Sequence, residues 1–356
     1  MSKKIAIIGS GFGGLALAIR LQASGLETVI LEKRDKPGGR AYFYEEKGFH
    51  FDAGPTVITA PHIFEELFEL TDKKMEDYIE LIPIDPFYRL LWPDGEVFNY
   101  NSDMNALYAQ IEKLNPKDVR GYKKFLKFSN AVFKEGYEKM VDHPFQSIWS
   151  MVKVAPQLLL LQSFRSVYSM VSKYIKHPKL RQAFSYHTLL LGGSPYSSSA
   201  IYSLIHALEH KWGVWFAKGG TSALVAGLVK LYEDLGGTLH LNCAVQSIET
   251  NDNNEVVSIH NENGERLEIA AVASNADIYH TYNELLSDNK TAQKKTKVLK
   301  RKKFSPSLFL LHFGLRREHP QLAHHTILFG PRWKELLEDI YHNGVAGWKA
   351  SIKAVK

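Results

Sequence analysis

The chain has 356 residues, of which 45% are hydrophobic, so it can bury a large core and is expected to form two domains rather than one. Its 44 basic and 38 acidic residues give a net charge of +6, which suits contact with anionic surfaces such as phospholipid and does not indicate nucleic-acid binding. The single cysteine, Cys243, excludes an intramolecular disulfide, a Cys-x-x-Cys redox pair and a cysteine-based metal site.

A dinucleotide-binding unit is predicted at the start of the chain. Residues 5–8 form an uninterrupted apolar run, typical of a strand buried on both faces, and a glycine-rich turn of pattern G-x-G-x-x-G follows at once. Its glycines permit a tight turn, let a pyrophosphate approach the backbone and let the next helix pack closely on the strand. The residues of this turn are Gly9, Ser10, Gly11, Phe12, Gly13 and Gly14.

The segments after this turn complete the unit. A helix is predicted to run to the stop signal Ser24-Gly25, and its N-terminus, with unpaired amides and the positive end of the dipole, suits a phosphate. A second strand over residues 28–31 ends at Glu32, and an acid about 20 positions after the glycines accepts hydrogen bonds from a ribose. Because all these parts occur in the required order, dinucleotide binding is favoured over an ordinary glycine-rich turn.

A second glycine-rich loop distinguishes between the possible dinucleotides. It contains Gly38, Gly39 and Arg40, so backbone amides and a guanidinium can both face a pyrophosphate, which favours FAD over a nicotinamide dinucleotide. Outside the two loops, the further residues predicted to contact FAD are Lys33, Gly54, Pro55, Thr56 and Val57.

From about residue 76 the composition changes to that of a second domain. Residues 79–82 and 88–92 have strand-like sequences around the turn residues 93–96, which predicts a hairpin. Residues 118–137 have helical spacing, and residues 145–174 combine large apolar side chains with scattered Lys and Arg. By itself the latter region is more typical of core than of a membrane surface. On a membrane, the side chains among the acyl chains would be Trp149, Met151, Leu158 and Phe164, with Lys153, Arg165 and Lys173 at the headgroups.

Later segments alternate again between helix and strand. A helix is predicted from Lys218-Gly219-Gly220-Thr221 to Gly236-Gly237, and strands are predicted at residues 239–242 and 244–248. Turn residues at 251–254 and 263–264 predict a small hairpin, and residues 271–275 are typical of a further parallel strand.

Four other features of the sequence bear on function. The H-x-x-E-H pattern of residues 206–210 matches a zinc-peptidase motif, but without a third ligand helix we expect two half-buried histidines and no metal. The glycosylation triplet at residues 289–291 has meaning only in a secreted protein. The basic run 294–303 is a solvated helix face or an anionic-lipid contact. Since residues 5–8 are too short for a secretory signal and residues 154–161 too short for a span, a cytoplasmic chain with peripheral membrane contact is expected.

Several motifs together carry a family resemblance. Residues 9–14, Glu32, residues 37–40 and residues 52–55 resemble the N-terminal flavin signature of the carotenoid desaturase and flavin amine oxidase superfamily. Later segments are similar to the bacterial phytoene desaturases specifically, and the similarity extends to about Asn343. These segments are residues 186–188, 191–195, 215–220, 274–277 and 305–309.

The resemblance implies an α/β fold with a discontinuous Rossmann-like FAD-binding domain, residues 1–75 and 216–290. It implies an α+β substrate domain with a mixed sheet and helices, residues 76–215 and 291–356, that associates with the membrane. It also implies that Val245 supplies backbone contacts to adenine. Because the implied carotenoid substrate is dissolved in lipid, residues 145–174 are then expected to contact a membrane and not to form core. The implied location is peripheral to the inner membrane.

The implied activity is FAD-dependent desaturation of phytoene towards lycopene by hydride transfer to flavin, with quinone or oxygen accepting the electrons. No residue type and spacing identifies a catalytic base. A diapophytoene desaturase or carotenoid isomerase would share every motif. The resemblance further implies a C-terminal glycine-rich segment that this sequence does not show. A fragment or truncated product with an exposed core is therefore expected, and an inactive flavin-binding remnant is the remaining alternative.

Overall fold

A computed structural model of the chain describes residues 4–140 and 147–344, without the side chains of Ile148 and Met151. Phe145 and the tail 345–356 therefore lie outside the described residues, as does the side chain of Met151 that was predicted to enter a membrane. Within the described ranges, no helix is long and apolar enough to cross a bilayer.

The secondary structure alternates helices and strands, numbered here in chain order. The strands are β1 Lys4–Ile8, β2 Thr28–Leu31, β3 Phe43–Glu46, β4 Phe49–Asp52, β5 Leu81–Pro83, β6 Tyr88–Leu91, β7 Val97–Tyr100, β8 Trp215–Ala217, β9 Thr238–His240, β10 Val245–Thr250, β11 Val256–Asn261, β12 Arg266–Ser274 and β13 Thr326–Leu328. The α-helices are α1 Phe12–Ala23, α2 His62–Glu69, α3 Met104–Leu114, α4 Pro116–Phe133, α5 Ile148–Leu160, α6 Val167–Tyr174, α7 Pro178–Ala183, α8 Leu204–Trp212, α9 Thr221–Asp234, α10 Ile278–His280, α11 Lys290–Leu299 and α12 Trp333–Tyr341.

The chain divides into two compact units. The first unit comprises Met1–Ile82, Trp215–Phe304 and Leu310–Gly314, and the second comprises Pro83–Val214, Ser305–Phe309 and Leu315–Lys356.

The first unit is built on a mixed sheet with the strand order β10-β11-β12-β1-β2-β9. Strands β12, β1, β2 and β9 are parallel neighbours, and β10, β11 and β12 form an antiparallel meander at one side. Parallel strands β1 and β2 are joined through α1, which is the first half of a dinucleotide-binding fold. The α/β, Rossmann-like fold class predicted from the sequence is confirmed.

After the exposed Lys4, strand β1 is apolar because both of its faces are covered. Ile7 packs with Leu15 and Ile19 of α1 and with residues of α9, whereas Ala6 and Ile8 pack on the opposite face with Val29 and Leu31. All of these side chains are buried. A strand buried on both faces has no polar alternation, as predicted for residues 5–8.

The second unit contains a smaller sheet with the order β13-β6-β7 and several helices packed around aromatic side chains. Strands β6 and β7 are an antiparallel hairpin in which Tyr88 pairs with Tyr100, and β13 runs parallel to β6. The predicted hairpin of residues 79–82 with residues 88–92 is therefore wrong. The partner of β6 is β7, Val97–Tyr100, which follows the turn at residues 93–96. Strand β5, near the predicted strand 79–82, pairs with β8 instead. Pairing with so distant a segment carries no local signal in the sequence.

Large apolar side chains are exposed along residues 304–315. Leu308, Phe309 and Leu311 have 84%, 86% and 72% of their surfaces accessible. A run of this kind is typical of an interaction surface or an aggregation hazard.

Candidate cofactor site

The first glycine loop, residues 9–14, joins β1 to α1 at the carboxyl end of the parallel strands. A Cβ atom on Gly14 would lie 2.1 Å from the carbonyl oxygen of Gly9, so only glycine allows the helix to begin this close to the strand. Gly11 precedes α1, whose first turn has neither an acidic residue nor a side-chain cap. The amide groups at this helix end are therefore left for an anionic ligand.

The two glycine-rich loops lie against each other. The N–H of Gly38 donates to the carbonyl oxygen of Ser10 at 3.0 Å, and Gly11 and Gly38 form a parallel bridge. The Arg34 guanidinium donates to the carbonyl oxygen of Gly39 at 3.3 Å, and Arg40 is exposed in the short 3₁₀ turn that follows. The structure thus brings together the two loops that the sequence analysis assigned to one pyrophosphate.

Glu32, directly after β2, is 4% exposed and accepts three hydrogen bonds from the protein. Its carboxylate accepts the backbone N–H of Ser10 at 2.9 Å, the hydroxyl of Ser10 at 2.6 Å and the backbone N–H of Arg34 at 3.0 Å. An ionised carboxylate has about four acceptor positions, so it can accept a ribose hydroxyl as well. Glu32 also holds the first loop to β2, a positioning task that the sequence analysis missed. Lys33, directly after it, is exposed.

Residues 52–57 form the third wall of the site. A Cβ atom on Gly54 would lie 1.9 Å from the carbonyl oxygen of Arg40, which places this segment against the second loop. The Asp52 carboxylate accepts the N–H of Thr221, the first residue of α9, at 3.0 Å, and the Thr221 hydroxyl donates to the carbonyl oxygen of Pro55 at 2.8 Å. Thr56 and Val57 directly follow Pro55, which these hydrogen bonds attach to α9.

A cavity of about 290 Å³ lies beside this segment in the first unit. Its lining is mostly apolar and includes Phe12, Pro55, Val57, Ile63, Phe64 and Leu224. The lining also includes the polar residues Thr59 and Thr221. A mostly apolar cavity with a few polar groups is typical of a small-molecule site.

Val245 lies at the Glu32 side of the site. The N–H of Cys243 donates to the carbonyl oxygen of Glu32 at 2.8 Å, and the N–H of Asn242 donates to that of Arg34 at 2.9 Å. Val245, at the start of β10, is buried in the same apolar cluster as Leu31. The residues at hand therefore fit FAD: an uncapped helix end with two glycine loops for the diphosphate, an acid for the ribose and an apolar cavity for a ring.

The H-x-x-E-H residues lie on α8 in the core of the second unit and form a hydrogen-bonded cluster with tyrosines. His206 Nε2 is 3.0 Å from the carbonyl oxygen of Phe184 and donates to it, so Nδ1 accepts the Tyr100 hydroxyl at 2.9 Å. Glu209 accepts the hydroxyl of Tyr88 at 2.8 Å. Burial lowers the pKa of His206 well below its ordinary value. The expectation of a half-buried His206 is wrong, since only 1% of it is exposed. No cluster among the described residues could hold a metal ion.

Comparison with known proteins gives a consistent result. The sequence model of the family described as flavin containing amine oxidoreductase matches residues 12–341. The chain is 56% identical over 345 residues to the lycopene-forming phytoene desaturase of Pantoea ananas, an alignment covering 97% of this chain and 70% of that relative. It is 54% identical over 339 residues to the relative of the same name from Pseudescherichia vulneris, covering 95% and 69%. The chain thus spans about 70% of the length of these relatives.

A solved structure shows the same fold. Putrescine oxidase, in a structure with bound putrescine, aligns with a TM-score of 0.54 and 17% sequence identity over 79% of this chain and 59% of the oxidase chain. At this identity the likeness concerns the fold alone.

Proposed function

The chain belongs to the flavin-containing amine oxidoreductase family and is an FAD-dependent oxidoreductase, and from this premise we propose that it desaturates phytoene towards lycopene. The observation that carries the proposal is the 56% identity to a relative named as lycopene-forming. When bound, FAD would supply the hydride acceptor for this desaturation, in which a hydride leaves one saturated carbon and a proton leaves the neighbouring carbon.

The residues of the first unit are proposed to hold and orient the cofactor. The backbone amides of residues 9–14 and 38–39 bind the diphosphate together with Arg40, and Glu32 accepts a ribose hydroxyl. Val245 supplies backbone contacts to adenine. The apolar cavity beside residues 54–57 is proposed to enclose the flavin ring, and its lining keeps water away from the ring.

The division of labour between two domains is part of the same proposal. Residues 1–75 and 216–290 bind FAD, and residues 76–215 and 291–356 bind substrate. The compact units divide after Ile82 and again at Trp215, close to two of the proposed boundaries, and this supports the division. The first unit also contains residues up to Phe304 and Leu310–Gly314, so the cofactor unit extends further along the chain than residue 290. Quinone or oxygen is proposed to reoxidise the flavin, because the G-x-G-x-x-G pattern occurs only once in these 356 residues, at residues 9–14.

Product analysis tests the proposed reaction. The chain is expressed in a carotenoid-free host that makes phytoene, and extracted pigments are separated by chromatography and identified by absorption and mass. Lycopene is the expected product. Isomerised but undesaturated carotenoid would favour an isomerase, and conversion only of diapophytoene would favour that desaturase. Protein that binds FAD and leaves phytoene unchanged would indicate an inactive remnant.

Peripheral membrane association is a finer part of the proposal. A long polyene hydrocarbon has negligible solubility in water, so an enzyme must take it from the bilayer. Helix α5 and the turn after it expose apolar side chains that suit insertion between acyl chains, with Trp149 at 75%, Leu160 at 81% and Phe164 at 72% accessible. The basic residues 294–303 include exposed lysines on α11 that suit anionic headgroups.

Co-sedimentation with liposomes tests this association. A variant with Lys300, Arg301, Lys302 and Lys303 changed to Ser is compared with the parent on anionic and neutral vesicles. We expect the parent to bind anionic vesicles at about 0.1 M salt and the variant to bind them more weakly, because the variant lacks four positive charges. Raising the salt concentration should weaken the electrostatic part of the parent's binding, since charges are already screened over about 10 Å at about 0.1 M. Protein that stays in the supernatant in all four combinations would contradict the membrane proposal.

A further inference from the structure

Asn275 follows β12 and lies at the carboxyl end of the parallel strands. Its backbone N–H donates to the carbonyl oxygen of Ile8 at 2.8 Å, and the preceding Ser274 is the register partner of Ile8. Ligands of parallel α/β sheets bind outside this edge, where the strands end. The sheet therefore fixes Asn275 beside the start of the first glycine loop.

The side chain of Asn275 lies across that loop. A Cβ atom built on Gly11 would come within 2.9 Å of its Nδ2, and one built on Gly13 within 2.7 Å of its Oδ1. A Cβ atom on Gly14 would come within 3.3 Å of the Asn275 Cβ. These positions span the residue before α1 and its first turn, so the carboxamide lies over the start of the helix.

The Asn275 carboxamide has unused hydrogen-bonding capacity. The side chain is exposed, and it makes no hydrogen bond to any residue in the described part of the chain. By contrast, the Asn289 side chain accepts two backbone N–H groups at the start of α11. A carboxamide offers two N–H donors and can rotate to direct them at an anion. The first turn of α1 contains no acidic residue to compete for such a ligand.

We infer that Asn275 is an FAD-binding residue whose carboxamide donates hydrogen bonds to the diphosphate. The inference rests on the cofactor site of the proposed function and adds a third polypeptide segment to the two glycine loops. The inference predicts that a negative charge at position 275 weakens FAD binding. A carboxylate at this position would repel the diphosphate, whereas a methyl group would only remove the donors. A side chain that merely fills space over the loop would tolerate the carboxylate, because Asp and Asn have nearly the same shape.

Cofactor titration of the full chain tests the inference. Apoproteins of the parent, Asn275→Ala and Asn275→Asp are titrated with FAD by flavin fluorescence, and ADP is measured by competition. We expect about a 10-fold loss of affinity in Asn275→Ala and about a 100-fold loss in Asn275→Asp, with similar factors for FAD and ADP. The matched controls Asn263→Ala and Asn263→Asp, at an exposed turn residue in the same unit, are expected to bind both ligands like the parent.

The outcomes separate the possible roles. Parent-like FAD affinity in Asn275→Asp would overturn the inference, as would a loss confined to FAD with ADP unaffected. A parent chain that binds no FAD would contradict the cofactor assignment itself and the inference with it. If apo Asn275→Asp melts more than about 5 °C below the parent, Asn275→Ser decides, because it keeps a donor in a smaller volume. An FAD affinity of Asn275→Ser above that of Asn275→Ala would support the inference, and an equal FAD affinity of the two variants would overturn it.

Discussion

Glu32 combines ligand recognition with loop positioning in one buried carboxylate. In Glu32→Ala the Ser10 N–H, the Ser10 hydroxyl and the Arg34 N–H lose their acceptor, together with the proposed ribose contact. We expect FAD binding to weaken by about 1 to 3 kcal/mol and the apoprotein to melt at a lower temperature, since buried donors without acceptors are costly.

Flavin fluorescence titration and thermal unfolding measure these two effects. Glu32→Gln keeps the shape and one acceptor oxygen, so a smaller loss is expected. Glu268→Ala, which removes an exposed carboxylate from β12, is the control. Unchanged FAD affinity in Glu32→Ala would mean that the carboxylate serves the loop alone.

At the level of elements, Asp52 links the site to α9 by capping its first residue, Thr221, at 3.0 Å. Asp52→Ala is expected to cost about 1 kcal/mol of stability, as other losses of helix caps do. Because the same contact holds residues 52–57 in place, FAD affinity is expected to fall as well.

Asp103 provides a matched comparison, since its side chain caps α3 in the second unit at 2.8 Å from the N–H of Asn105. Urea unfolding and FAD titration of both variants are the measurements. Asp103→Ala is expected to lose similar stability and to keep its FAD affinity. An equal fall of FAD affinity in both variants would show that Asp52 acts only through general stability.

Helix α8 makes the second unit sensitive to acid. Burial, with a smaller effect of His187, lowers the pKa of His206, and burial also lowers the pKa of His210 although Glu209 opposes this shift. Below the ordinary pKa of 6.5, these histidines bind protons in the unfolded chain but stay neutral in the folded protein. The stability contribution is therefore complete above that pH and is lost as the pH falls, by roughly 1 kcal/mol per pH unit for each buried histidine.

Thermal unfolding between about pH 7.5 and about pH 5.5 measures this dependence. The melting temperature is expected to fall with pH, and to fall less steeply in His206→Gln, which has no titrating ring. A melting temperature that rises as the medium becomes acidic would contradict the assignment of a neutral, buried His206.

For the molecule as a whole, the sequence predicted those features that are determined by neighbouring residues. The doubly buried β1, the close start of α1 at Gly14 and the helix end at Ser24 all follow from local sterics and apolar spacing. The α/β fold class follows from their order along the chain. The residue assignments at the cofactor site stay predictions that the titrations above test.

Other features depend on contacts between distant segments. Asp52 meets Thr221 across 169 positions of sequence, and Asn275 reaches the first glycine loop from a segment that is distant in the sequence. The β6–β7 hairpin was misassigned because several nearby segments have similar strand propensity, and tertiary packing selects among them. His206 was expected to be half-buried because the helix pattern does not reveal the tyrosines around it.

An anaerobic single-turnover measurement tests the central proposal most directly. The chain is loaded with FAD, mixed with phytoene-containing vesicles in the absence of oxygen, and followed by absorption spectroscopy. We expect the oxidised flavin bands to be lost while the bands of a longer conjugated polyene appear, in matching amounts. Bound FAD that stays oxidised beside unchanged phytoene would contradict it.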